Sequence, residues 1–153
     1  MTIPRRILPL CLSAALAAAA CDAHVEKVTR GHVRVAAAAE LKAVLGELIE
    51  RFGESHDVDV TVSYGASGTF YEQLLNQAPF DLFLSADLQY PNALVARGLT
   101  VPQTEFTYAV GRGGVVLKSA ADPEAARALR RFLLSADGRA ILERAAFALP
   151  DAR

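Results

Sequence analysis

The residues best suited to chemistry lie in two turns built from small side chains. One is Gly65-Ala66-Ser67-Gly68-Thr69, and the other covers residues 36–41 and contains Ala39 and Glu40. Small side chains let a ligand approach the backbone closely. Where a helix follows such a turn, its first N–H groups have no intrahelical acceptor and carry a partial positive charge. Ser67 adds a hydroxyl donor, and Thr69 offers a second. Two such ends side by side would form a pocket of neutral donors suited to an anion, with no need for lysine or arginine. Taken singly, each turn reads first as a tight strand–helix connection and Ser67 as a helix cap. The anion reading draws its weight from the pair, and its expected binding residues are Ala39, Glu40, Ser67 and Gly68.

Other chemistries fit less well. A nucleophile elbow requires a second glycine where Thr69 stands. A phosphate-loop lysine motif and a dinucleotide glycine fingerprint are both missing. His24, His32 and His56 are scattered, and no two have metal-ligand spacing, so no metal or cofactor site is expected. A small hydrolase using Ser67 would need a histidine beside it. Asp81 and Asp87 flank an apolar segment and are a candidate carboxylate pair, although turn and cap roles suit them better.

Alternating strand and helix signals must position these residues. Residues 33–39 and 58–64 and the Asp81-Leu82-Phe83-Leu84-Ser85 run read as strands, with a fourth over 106–110. Leu41, Val44, Leu45, Leu48, Ile49 and Phe52 recur at spacings of three and four and predict one amphipathic helix ending at Gly53. Helices are also expected from Phe70, from Asp87 to about Arg97, after Asp122-Pro123, and after Ser135. Residues 111–114 read as loose, and 115–117 as a short extended piece. The pattern implies an α/β fold with a mostly parallel sheet flanked by helices, whose ligands sit at the carboxyl ends of the strands.

The 153 residues suffice for one domain with a real core. Residues 1–20 read as an export signal, with Arg5 and Arg6 ahead of an apolar run too short to span a bilayer. Without them, 14 basic residues face 17 acidic ones, which argues against a nucleic-acid partner. Cys21 would be the only cysteine left, so no internal disulfide is expected. Ala18-Ala19-Ala20-Cys21 is a weak lipobox. Cys21 is either a lipid anchor or the spare cysteine of a secreted chain. Residues 21–31 read as a tether and 32–150 as the folded domain.

Two blocks then carry a family resemblance. Gly65-Ala66-Ser67-Gly68-Thr69-Phe70-Tyr71-Glu72-Gln73-Leu74 and Ala78-Pro79-Phe80-Asp81-Leu82-Phe83-Leu84-Ser85-Ala86-Asp87 resemble the signature of periplasmic molybdate/tungstate-binding proteins, the capture components of oxyanion ABC importers. Residues 35–41, Tyr90-Pro91, Phe106 to Arg112, and the stretch from Arg131 to Pro150 fit as well. The resemblance implies a periplasmic-binding-protein-like lobe, no enzymatic activity, a molybdate or tungstate ligand and an ABC permease in the inner membrane. It also implies oxyanion contacts at Ala39, Glu40 and Ser67.

The sequence departs from that family in two places. Glu40 stands where the family has Ser, Asn, Asp or Thr, so a carboxylate faces the expected dianion. After Arg112 the chain passes directly to Gly113-Gly114-Val115-Val116-Leu117-Lys118, which resembles the segment returning from a second lobe. That lobe is expected to be deleted near residues 112–113, so oxyanion binding should be weak. The alternative is an exported remnant or interaction domain that binds no oxyanion.

Overall fold

The computed structural model describes residues 30–150. The expected export signal, Cys21 and nearly all of the tether lie outside them. The chain forms β1 (Gly31–Ala38), a short 3-10 turn (Ala39–Ala43), α1 (Leu45–Gly53), β2 (Val58–Gly65), α2 (Ser67–Leu75) and β3 (Leu82–Ser85). It continues through α3 (Gln89–Ala96), β4 (Phe106–Ala109), β5 (Arg112–Val116), α4 (Pro123–Leu133) and α5 (Ala136–Arg144). The sheet order is β2-β1-β3-β5-β4. Strands β2, β1 and β3 are parallel, β5 runs antiparallel to β3, and β4 and β5 form an antiparallel pair.

Both faces of the sheet are covered. Val33, Val35 and Ala37 of β1 join Leu45, Leu48 and Phe52 of α1 and Leu129 and Leu133 of α4 in the larger core. Ala36, on the opposite face, packs with Phe70 and Leu74 of α2 and Leu94 of α3. Alternation along β1 therefore feeds two layers, as the period-two geometry of a strand requires. Asp122 caps α4 by accepting from Ala125 N (2.9 Å), and Ser135 caps α5 by accepting from Gly138 N (3.2 Å). Among the described residues no helix is long and apolar enough to cross a membrane.

Two segments differ from the sequence expectation. The first helix does not run unbroken from Leu41. A 3-10 turn comes first, and Val44, with φ −116° and its N–H bonded to Leu41 O, separates it from α1. Leu41, Val44 and Leu45 are nonetheless all buried, so core burial survives the break. Residues 111–114 are not loose, because Arg112 begins β5. The two glycines are strand residues lying under close cover. A Cβ on Gly114 would fall 2.7 Å from the Phe106 ring and 2.8 Å from Phe83 O. Glycine here reports crowding rather than freedom.

Candidate functional site

The parallel register sets the site. Ala38 lies opposite Gly65, and Ala37 opposite Leu84, so the carboxyl ends of β2, β1 and β3 stand side by side. The loops that leave them contain Ala66–Ser67, Ala39–Glu40 and Ala86–Asp87. Ser67 Oγ accepts a 2.9 Å bond from Ala86 N, which ties the α2 turn to the end of β3. With its oxygen so engaged, the Ser67 hydroxyl proton is left to be donated elsewhere. Ser67 is buried, whereas Ala39, Ala66 and Ala86 are exposed.

Ser67 is not a helix cap. Ala66 holds that position, and the first intrahelical bond of α2 runs from Phe70 N to Ala66 O at 3.1 Å. The N–H groups of Ser67, Gly68 and Thr69 precede it and have no acceptor within the helix. Gly68 leaves room for the Tyr90 hydroxyl, which a Cβ there would meet at 2.8 Å and push aside. Ala39 and Glu40 open a five-residue 3-10 turn rather than a full helix, so the dipole behind their N–H groups is smaller than behind those of α2.

Charge at this edge comes from residues the sequence did not bring together. Glu40 receives Arg112 Nε at Oε1 and Arg112 Nη2 at Oε2, the latter at 3.3 Å. Tyr108, on β4, donates its hydroxyl to Ser85 O at 2.8 Å. Burial raises the Tyr108 phenol well above its ordinary pKa, and the charge of Glu40 raises it further. Arg112 opposes that rise and Asp87 adds to it. Tyr108 is therefore a permanent donor close to all three charged groups. Asp87 accepts from Gln89 N at 2.9 Å, in the turn role expected of it.

Asp81 has no part in this edge. It sits at the amino end of β3 and Asp87 at the carboxyl end, so the two are not a catalytic pair. Asp81 is fully buried and accepts from Arg34 N (2.7 Å), Arg34 Nε and Nη2 (both 2.9 Å) and Ala121 N (2.8 Å). Burial pushes its carboxyl up, but the hydrogen bonds from Arg34 and Ala121 outweigh that effect and hold it below the usual range. His32 contacts Asp59, and His56 stacks on Phe52 at 4.2 Å. Both lie toward the amino ends of the parallel strands, roughly 20 Å of strand away from Ser67. His24 lies outside the described residues. Among the described residues, no group of three or more His, Cys, Asp or Glu side chains could hold a metal ion.

A cleft of about 620 Å³ is lined by Leu88, Pro91, Phe106, Val110 and Pro150. It includes none of Ala39, Glu40, Ser67 and Gly68.

Comparison with known proteins bears on this arrangement. The molybdate-binding protein ModA of Rhodobacter capsulatus is 44% identical over 93 residues, covering 61% of this chain and 36% of that protein. ModA of Azotobacter vinelandii is 41% identical over 80 residues, covering 52% and 32%. The chain thus spans about a third of the length of these curated relatives. A substrate-binding domain assigned to a molybdenum ABC transporter from Clostridium difficile superposes with a TM-score of 0.76 at 16% identity, covering 78% of this chain and 99% of that one. The periplasmic molybdate-binding protein of A. vinelandii gives 0.74 at 16%, covering 78% and 100%. These two likenesses carry the fold. A family model for bacterial extracellular solute-binding proteins matches residues 33–115, more than half of the sequence and the whole of the sheet edge described above. The chain belongs to that family of bacterial extracellular solute-binding proteins.

Proposed function

We propose that this chain is the oxyanion-capturing component of a molybdate or tungstate ABC importer, reduced to one lobe. The observation that carries the reading is the Ala86–Ser67 bond. It holds a serine hydroxyl and the unpaired N–H groups of α2 at the same edge as the Ala39–Glu40 backbone. Tetrahedral molybdate is an acceptor-only dianion, and donors of this kind stabilise it without a permanent positive charge. The ABC permease, export through residues 1–20 and anchorage at Cys21 belong to the same proposal.

The β4–β5 hairpin stands where the family resemblance implies a second lobe. Each hydrogen bond to a charged group contributes about 1.5–3 kcal/mol, so losing roughly three donors costs on the order of 5–9 kcal/mol before water replaces them. Binding by this chain alone is therefore weak, with Kd on the order of 1 mM. Isothermal titration with molybdate, tungstate and sulfate tests this. Weak heats for molybdate and tungstate should exceed the sulfate control and disappear in Ser67→Ala. Heats equal to sulfate, or unchanged by Ser67→Ala, would leave the ancestry but remove the receptor role in favour of a non-binding remnant.

A further inference from the structure

The neutral-donor mechanism leaves one feature of the carboxyl edge unused. Glu40 and Arg112 form a two-point ion pair across it, and each side chain is only 34% exposed. Arg112 is held from other sides as well. Its Nη1 donates to Val110 O at 3.2 Å, and its guanidinium lies 5.4 Å over the Phe147 ring. The strand register places the pair. Gly113 lies opposite Ser85, so Arg112 stands just beyond the end of β3, next to Ala86, whose N–H holds Ser67. Glu40 is two residues past Ala38, which lies opposite Gly65. The pair therefore joins the Ala39–Glu40 turn to the β4–β5 hairpin beside Ala86, whose N–H in turn holds the Ser67 turn.

A guanidinium fork grips a carboxylate through two parallel N–H donors, and it grips a tetrahedral oxyanion in the same way. We infer that Arg112 is an anion-binding residue of this edge and that the Glu40 carboxylate is its resident competitor. On this account an entering dianion must displace Glu40 from the fork. The inference rests on the oxyanion reading above but names a ligand and a competitor which that reading does not require. Two acidic groups, Glu40 and Asp87, and one cation, Arg112, surround Tyr108 here. While the pair is intact the guanidinium fork of Arg112 is occupied, and the Glu40 carboxylate confronts any entering dianion. The oxyanion loses affinity twice, once through competition for Arg112 and once through repulsion.

The test titrates the full chain with molybdate in six forms: wild type, Ser67→Ala, Glu40→Gln, Arg112→Gln, the Glu40→Gln/Arg112→Gln double variant, and Glu40→Gln combined with Arg112→Lys. A thermal melt of each form confirms folding. Glu40→Gln is expected to bind at least about tenfold more tightly than wild type, and the double variant to lose that gain. Arg112→Lys combined with Glu40→Gln keeps the charge without the planar fork and should recover only part of the gain. Wild-type affinity in Glu40→Gln would overturn the proposal and leave the pair as a strut between hairpin and sheet. A gain that persists in the double variant would also overturn it, because repulsion alone would then explain the effect. If Ser67→Ala binds like wild type while the gain still depends on Arg112, the neutral-donor reading falls and the arginine site stands. No heat in any form at millimolar molybdate overturns both.

Discussion

A buried carboxylate that accepts four hydrogen bonds is costly to disturb. Asp81 satisfies Arg34 and the Ala121 backbone at once, joining β1, β3 and the approach to α4. Removing one partner of such a pair strands the other, and about 2–4 kcal/mol is at stake because Arg34 is partly exposed. The sign follows from the lowered carboxyl. Its contribution is complete above the unfolded value of about 3.9 and is lost as pH falls through the folded value. Urea midpoints should therefore be lower for Asp81→Asn than for wild type at neutral pH, with the two curves converging in acid below about pH 4. A gap that stays constant with pH would show that packing, not ionisation, sets the difference. Nothing in the sequence announced this hub. Asp81 reads as a turn residue, and its partner Arg34 lies 47 positions earlier. Glu40 and Arg112 are 72 apart and were equally invisible as a pair. The turn that holds Ser67 was legible because its pattern is local: small residues between a strand and a helix.

At the scale of elements, periodicity revealed most of the architecture. A short apolar run marked β1, alternating valines marked β2, and the stripe from Leu41 to Phe52 marked the buried face of α1. The caps at Asp122 and Ser135 marked two helix starts. Failures came where tertiary packing overruled local pattern. The stripe continues through Val44 although the backbone does not, because side-chain spacing cannot report a 3-10 turn. Glycines at 113 and 114 suggested slackness, whereas Gly113 lies under the Leu88 side chain and Gly114 under the Phe106 ring. Gly114→Ala should accordingly destabilise the fold by about 1–3 kcal/mol, the usual cost of an overfilled site. Denaturant unfolding would show a lower midpoint with an unchanged slope. An unaltered midpoint would mean that the ring and the neighbouring Phe83 backbone both give way freely.

On the scale of the whole molecule, the two apolar layers share one sheet. β1 sends Val35 and Ala37 into one layer and Ala36 into the other, so neither layer can come apart without the strand between them. Near- and far-ultraviolet circular dichroism should lose signal together in a single urea transition, and separated midpoints would show that the layers melt independently. Among the described residues the sheet ends on one side in β2, an eight-residue strand bonded to β1 alone. Such a margin is a template for recruiting foreign strands. Its outward-alternating side chains Asp59, Thr61 and Ser63 are exposed and hydrophilic. In-register stacking of two copies would set Asp59 against Asp59. That one acidic residue, steadied by His32, makes fibril-like growth along this border self-repelling.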